Sequence, residues 1–157
     1  MMDFSQMYTQ FAVAIVLGAL MGLERELAGK EAGIRTGMMV AGGSAIFTIV
    51  ALHLPALLAE NYATDVHDIL ASNAGFLNVI ANIAVGIGFL GAGIIIKTEE
   101  HVYGLTSAAV IWVIAAVGML AGLGLTQFAI ATAVTVSALL FVMRKLGISE
   151  FVQRSSK

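Results

Sequence analysis

The sequence predicts an all-α fold, a polytopic membrane helix bundle with about five transmembrane helices. Hydrophobic residues make up 59% of the 157 residues and charged residues only 11%, and the mean hydropathy is +0.95. Soluble domains are about 45–50% apolar and about 25% charged. Five long apolar segments and a one-sided distribution of basic residues support the same fold. We expect residues 1–157 to form a single transmembrane domain, because the chain has no room for a second one.

Five segments are long and apolar enough for a helix to cross the hydrocarbon core, which takes about 20 residues. They cover about residues 4–23, 37–58, 75–96, 106–121 and 125–143. Pro55 removes a backbone donor near the end of the second segment and predicts a kink or a frayed last turn there. No basic stretch precedes the first segment, so we expect a retained span and not a cleaved signal peptide.

The basic residues predict the orientation. All eight follow the first, third or fifth segment, and the loops after the second and fourth segments contain none. They are Arg25, Lys30, Arg35, Lys97, Arg144, Lys145, Arg154 and Lys157. Because basic loops stay on the cytoplasmic side, we expect the N-terminus outside and the C-terminus in the cytoplasm.

Several classes of function lack a sequence signal. The chain has no cysteine, which excludes disulfides, thiolate metal sites and a cysteine nucleophile. A net charge of −2 gives no reason to expect a nucleic-acid partner. We find no phosphate loop, nucleophile elbow or zinc-binding spacing, and we expect neither enzymatic activity nor a cofactor. The acidic loop from Glu60 to Asp68 is expected to be solvated, since a hard cation needs converging oxygen ligands.

The third segment contains a glycine block formed by Gly86, Gly88, Gly91 and Gly93. Glycine weakens a helix, so its density inside a membrane segment predicts a role for the backbone itself. One alternative is a helix packed closely against its neighbours, and the other is a broken helix that exposes carbonyl groups to a buried site. Both alternatives are consistent with the sequence.

Two further glycine pairs favour close helix packing, within the chain or between chains. Gly18 and Gly22 lie four residues apart in the first segment, and Gly118 and Gly122 do so in the fourth. Small residues at this spacing let two helix backbones approach each other in a membrane.

Asn78 and Asn82 are the most polar residues well inside a segment, and their spacing places them on one helix face. The favoured interpretation is hydrogen bonding between helices, worth about 0.6–2 kcal/mol per contact in membranes. The alternative is a polar lining that leads to the glycine block.

Charged residues gather where the first segment ends and the second begins. Glu24 and Arg25 close the first segment, and Arg35 and Thr36 open the second. Because the link between them is short, we expect both ends to lie together, with Glu24 and Arg35 able to form a partly buried ion pair. The alternative is an ordinary interfacial charge cluster that anchors the topology.

The chain resembles the transmembrane domain of the MgtC/SapB family over about residues 10–140. Four blocks carry the resemblance, and the last two together are specific. They are GALMGLERE at 18–26, AGIRT at 32–36 leading into GSAIFT at 43–48, GIGFLGAG at 86–93, and GLTSAA at 104–109 followed by Trp112 and Gly118.

The resemblance implies a multi-pass protein of the bacterial inner membrane. Family members are associated with magnesium limitation and with virulence, and they look more like membrane regulators than established transporters. The resemblance also implies a functional set of polar residues, Glu24, Arg25, Arg35, Thr36 and Thr106. The predicted topology places all four blocks at the cytoplasmic face.

The chain departs from the family pattern in two places. Relatives usually carry an Asp-Pro-x-Arg stretch and then a glutamine ahead of the glycine block, where this sequence has Gly75, Phe76, Asn78 and Asn82. Any mechanism that depends on that aspartate is therefore not expected here. Many relatives also carry a soluble C-terminal domain, which we do not expect in this chain.

The leading functional hypothesis is a regulatory or accessory protein that contacts membrane lipid and other inner-membrane proteins and that self-associates. The competing hypothesis is a small transporter or channel for a divalent cation such as magnesium. Against the second, the second to fifth segments contain no carboxylate, whereas a dication favours oxygen-rich sites. A third hypothesis is a structural bundle without a ligand.

Overall fold

The computed structural model describes residues 3–62, 75–99 and 101–146. Over these residues the chain forms five helices and one short hairpin. The helices are α1 (Phe4–Leu27), α2 (Ile34–Tyr62), α3 (Gly75–Ile94), α4 (Leu105–Gly122) and α5 (Thr126–Lys145), and the hairpin strands are β1 (Ile96–Lys97) and β2 (Val102–Tyr103).

The predicted all-α bundle is confirmed, and each predicted segment coincides with one helix. Four helices are long and apolar enough to cross a membrane, namely α1, α2 up to Pro55, α4 and α5. Helix α3 has 20 residues, about 30 Å of helix, which matches the thickness of the hydrocarbon core. Helix α2 does not end near Pro55 but continues to Tyr62. The acidic loop predicted from Glu60 to Asp68 lies largely within residues 63–74, which are outside the described residues.

Two helices end in the same glycine-dependent turn. At the end of α1, Gly29 has a φ of 64°, and the Lys30 N–H donates to the Arg25 carbonyl at 3.0 Å. At the end of α4, Gly124 has a φ of 80° and the same pattern of hydrogen bonds follows. This Schellman turn satisfies the last helix carbonyls and needs a left-handed residue. It joins α1 to α2, and α4 to α5, through short connections.

The first glycine pair lets α1 pack backbone-to-backbone against α2. Gly18 faces the Gly37 carbonyl so closely that a Cβ at either residue would clash with backbone of the other. One turn further, a Cβ at Gly22 would lie 2.6 Å from the Gly33 carbonyl oxygen. Because lipid provides no hydrophobic driving force between helices, this close van der Waals contact is what holds α1 to α2.

The second glycine pair packs α4 on the same row of α2. A Cβ at Gly118 would clash with the Ala41 carbonyl, and a Cβ at Gly122 would lie 2.8 Å from the Ala45 carbonyl oxygen. Ala41 and Ala45 continue, at the same four-residue spacing, the small-residue row of α2 that contacts α1. The sequence prediction that both glycine pairs serve close packing is therefore confirmed within the chain.

Helix α4 lies at the centre of the bundle and contacts each of the other four helices. Its buried face repeats every three or four residues and includes Val110, Ile114, Val117 and Ala121. Half of the α4 span is buried, but only 11% of the α5 span. Helix α5 is therefore peripheral, and α4 positions the elements around it.

The glycine block of α3 is part of a continuous helix. The alternative of a broken helix is not found, because an intact helix satisfies its own backbone groups where lipid offers no partners. Close packing within the chain involves Gly91, where an added Cβ would lie 3.4 Å from the Ala108 Cβ. A Cβ at Gly86, Gly88 or Gly93 would meet nothing within 4 Å in the described structure. Packing of these three glycines against another chain stays a prediction.

A short hairpin, whose two strands have two residues each, connects α3 to α4. Ile96 pairs with Tyr103 and Lys97 with Val102 in antiparallel register. Gly104 follows with a φ of 83°, and the Ile94 carbonyl leaves no room for a side chain there. This tight return places the first turn of α4 directly beside the end of α3.

Candidate functional site

Polar side chains from three helices and one loop meet at one end of the bundle. We call Glu24, Arg25, Ser107, Glu31 and Arg144 the buried polar cluster. The first three are 8%, 5% and 1% exposed, respectively, whereas Glu31 and Arg144 form the outer edge of the cluster. Charged groups are rarely buried unless they are paired, so these contacts hold the end of the bundle together.

Arg25 starts a chain of hydrogen bonds that reaches the surface. Its Nη2 atom donates to the Ser107 hydroxyl at 2.8 Å. The Ser107 hydroxyl donates in turn to Glu31 Oε2 at 3.1 Å. These two bonds connect the end of α1, the start of α4 and the loop between α1 and α2.

Glu24 provides the negative charge inside the cluster. Its Oε2 atom lies 3.9 Å from Arg25 Nη1, and its Oε1 atom lies 3.9 Å from Arg144 Nη1. Both distances are too long for hydrogen bonds. Among the described residues, Glu24 Oε2 and Arg25 Nε are buried without a hydrogen-bond partner. The cluster thus contains both a buried acceptor and a buried donor with unused capacity.

A neighbouring carboxylate fixes the loop that covers the cluster. Glu26 Oε2 accepts a hydrogen bond from the Ile34 N–H at 2.8 Å. This N–H belongs to the first turn of α2, where a negative charge also complements the helix dipole. The loop must therefore turn back over the end of α1, and this turn brings Glu31 to Ser107.

The loop environment lowers the pKa of the Glu31 carboxyl below its ordinary value. The main cause is a hydrogen bond from the Glu31 backbone amide, followed by the hydrogen bond from Ser107. Desolvation of the carboxyl opposes these two hydrogen bonds, and the positive charges of Lys30 and Arg25 lower the pKa further with smaller effects.

This lowered pKa predicts how stability depends on pH. Because the folded protein favours ionised Glu31 more than the unfolded chain does, the carboxylate stabilises the fold above the ordinary glutamate range. The contribution is lost as the pH falls through the lowered pKa. We expect the unfolding temperature of the wild type to exceed that of Glu31→Gln at neutral pH and the two to converge in acid. A difference that widens toward acid would contradict this role, and Glu99→Gln serves as a control that removes an exposed acid elsewhere.

The structure brings only part of the predicted functional set together. Glu24 and Arg25 are both in the buried polar cluster, but Arg35 is exposed. In the described part of the chain the ion-pair partners of Glu24 are Arg25 and Arg144, so the ion pair with Arg35 that the sequence made possible is not formed. Gly33 and Gly37 face α1, and a helix turns by about 100° per residue, so Arg35 points away from α1. Thr36 is half-buried.

On α4 the residue that belongs to the buried polar cluster is Ser107 and not the neighbouring Thr106. Thr106 is exposed, whereas Ser107 is buried. Ser107 lies three and four residues before Val110 and Ile111, which are both buried. The sequence has no periodic signal that distinguishes Ser107 from Thr106, because the residues that follow are apolar on every face of the helix. Arg144 and Glu31 carry no such signal either, because only the packing of α5 and the loop conformation bring them to the cluster.

The two asparagines of α3 lie on one exposed face, as their spacing predicts. Asn82 and Gly86 also line an open groove of about 510 Å³ between α2 and α3. Apart from Ser44 the other lining side chains of this groove are apolar or absent, and they include Val79 and Leu90. The groove suits hydrocarbon better than an ion.

Within the described residues no three His, Asp or Glu side chains are close enough together to hold a metal ion. The buried polar cluster instead offers guanidinium and hydroxyl donors beside carboxylates. Such an arrangement can bind a polar or anionic group, or it can lock helix ends in place.

Comparison with known proteins identifies the family. The model of the MgtC family matches residues 11–148 of the chain. The chain belongs to the MgtC family. All five residues of the buried polar cluster lie inside the matched range, and family membership together with the four long apolar helices makes the chain a membrane protein.

Curated relatives cover most of this MgtC-family chain. The chain is 34% identical over 147 residues to the "Putative magnesium transporter YhiD" of Escherichia coli K12, covering 89% of the chain and 63% of YhiD. It is 37% identical over 135 residues to the protein MgtC of Brucella abortus, covering 86% of the chain and 50% of that protein. It is 36% identical over 133 residues to the protein SrpB of Synechococcus elongatus, covering 80% of the chain and 68% of SrpB. The chain thus spans about half to two thirds of the length of these relatives. No solved structure matches it significantly.

Proposed function

We propose that this chain is an inner-membrane accessory or regulatory protein of the MgtC type that supports bacterial growth when magnesium is scarce. It acts by contacting another membrane protein and does not itself move ions. The observation that carries the proposal is the buried polar cluster, where charged side chains are locked between helix ends under a short loop.

The distribution of charge supports an orientation with the buried polar cluster at the cytoplasmic face. Arg25 and Arg144 belong to the cluster, and Lys30 and Arg35 lie on the loop or helix turn beside it. Lys97 lies on the hairpin between the end of α3 and the start of α4, at the same end of the bundle. Basic residues at one end favour the cytoplasmic side.

The chemistry of the described residues favours regulation over transport. A magnesium path needs several oxygen ligands or retained waters, but the groove between α2 and α3 is mainly apolar. The exposed face of α3, with Gly86 and Gly93, is open to a second copy or to another membrane protein. Membrane lipid covers the remaining apolar surface.

A transporter for magnesium is the second candidate. It is favoured by the description of the Escherichia coli relative YhiD as a "Putative magnesium transporter", since YhiD is 34% identical to this chain. On this alternative the carboxylate of Glu24 would lie on the ion path, since its Oε2 atom is buried with unused acceptor capacity.

A flux measurement separates the two candidates. We expect liposomes that contain the purified protein to take up no more magnesium than protein-free liposomes. We also expect the gene to restore the growth, in low magnesium, of cells that lack it. Folding of the reconstituted protein is checked by circular dichroism. Influx that persists in Glu99→Gln but disappears in Glu24→Gln would overturn the regulatory proposal and make the chain a transporter.

A further inference from the structure

We infer that Arg25 and Ser107 form a binding site for a phosphate group and that the Glu31 carboxylate occupies this site as an internal substitute. The inference deepens the proposed function, because it assigns a ligand class to the same buried polar cluster. It rests on the proposed function only for the placement of that cluster at the cytoplasmic face.

The first observation is the unused donor capacity of Arg25. A guanidinium group carries five N–H donors in a planar fork. Nη2 donates to Ser107, but Nε is buried without a hydrogen-bond partner among the described residues. The nearest carboxylate oxygen, Glu24 Oε2, is 3.9 Å from Nη1. A buried cation with unsatisfied donors is unfavourable, so the site favours an additional acceptor.

The second observation is the way in which Glu31 reaches the cluster. Glu31 is an exposed loop residue, yet its carboxylate accepts a hydrogen bond from Ser107, which is 1% exposed. The next residue, Ala32, has a left-handed φ of 64°, a backbone conformation that residues with a Cβ rarely adopt because it is strained. The contact between Glu31 and Ser107 helps to hold this strained loop conformation, so the carboxylate acts as a latch.

The third observation is the geometry of the acceptor. Glu31 binds the Ser107 hydroxyl but forms no ion pair with Arg25 within the described residues. A phosphate group has several oxygens in a tetrahedral arrangement and can accept from the serine hydroxyl and the guanidinium fork together. It would therefore satisfy more donors than Glu31 does.

Displacement of Glu31 from Ser107 by a phosphate group would release the loop between α1 and α2. The latch lies on the loop that joins α1 to α2, and its release frees the strained turn at Ala32. Phosphate binding would thus change the surface that faces the cytoplasm. The phosphate group can come from a soluble cytoplasmic compound or from the headgroup of an anionic phospholipid, since both carry the same oxygens.

Binding of inorganic phosphate to the purified protein tests the inference. The protein is placed in phosphatidylcholine nanodiscs, and phosphate is titrated by calorimetry at constant ionic strength. We expect Glu31→Gln to bind phosphate about five- to tenfold more tightly than the wild type, equivalent to about 1–1.4 kcal/mol. Glu99→Gln, which removes the same charge from the nearby hairpin, should leave the affinity within twofold. Ser107→Ala should weaken binding in the Glu31→Gln background.

Two outcomes would overturn the inference. The first is an absence of phosphate binding to both folded wild type and Glu31→Gln. The second is an equal gain in Glu31→Gln and Glu99→Gln, which would reflect general charge and not a latch. A second titration in nanodiscs that contain phosphatidylglycerol identifies the source, because a bound lipid headgroup would compete with inorganic phosphate. Either failure leaves the growth and flux results of the proposed function untouched, so the two proposals fail separately.

Discussion

Gly118→Ala is expected to destabilise the bundle by about 1–3 kcal/mol, although it adds a single methyl group. The new Cβ would clash with the Ala41 carbonyl, which belongs to the backbone of α2 and cannot move aside as a flexible side chain can. Relief requires separation of α4 from α2, and this separation also weakens the small-residue contacts between the two helices. We expect a lower unfolding temperature of the purified protein in detergent.

Gly86→Ala is the matched control for this prediction. It makes the same substitution inside a helix, but a Cβ at Gly86 meets nothing within 4 Å among the described residues. Because alanine is a better helix former than glycine by about 1 kcal/mol, we expect this variant to be as stable as the wild type or more stable. The opposite order of the two variants would contradict the packing assigned to Gly118.

Glu24→Gln is expected to abolish growth support in low magnesium and to lower stability. The substitution removes the carboxylate that lies beside Arg25 and Arg144 and leaves Arg25 buried with less compensating charge. Removal of one partner of a buried pair costs as much as about 3–5 kcal/mol. We measure growth, the amount of protein in membranes and the unfolding temperature, and we expect the double variant Glu24→Gln/Arg25→Gln to recover part of the stability.

Arg35→Gln separates activity from stability. Arg35 is exposed, and within residues 3–62, 75–99 and 101–146 it is not an ion-pair partner of Glu24. We therefore expect normal expression and an unchanged unfolding temperature but a loss of growth support, because the family resemblance places Arg35 in the functional set. Full activity in both Glu24→Gln and Arg35→Gln would remove the functional assignment from this end of the bundle.

The predicted and the observed functional sites differ because hydropathy depends on neighbouring residues, whereas contacts between helices depend on how the helices are oriented. Hydropathy is a property of consecutive residues, so the five helices could be located from the sequence to within four residues at each end. Glu24 and Arg25 could also be identified from the sequence, because they are charged residues at the end of an apolar segment. Which side chain meets them depends on the rotation of each helix about its own axis. A rotation of one residue replaces Thr106 by Ser107 and turns Arg35 away from α1.

The glycines illustrate the same limit. The four-residue spacing of Gly18 and Gly22 predicted close packing, and the structure supplies Gly33 and Gly37 as the opposing surface. The denser block around Gly88 predicted either packing or a break, but most of it meets no neighbour in the described structure. The spacing of glycines along a helix identifies a surface that allows close packing. Whether that surface is packed depends on the presence of a second helix at the right distance.

The sequence by itself determined that this protein lies in a membrane, that five of its segments are the helices found in the described residues, and that it resembles the MgtC family. These properties depend on local composition, on periodicity and on short motifs. The tertiary structure decided that Ser107, Glu31 and Arg144 join Glu24 and Arg25. The physical reason is that Ser107 and Arg144 are far from Arg25 in the chain and that the position of Glu31 depends on the loop conformation, so helix packing and that conformation bring the cluster together.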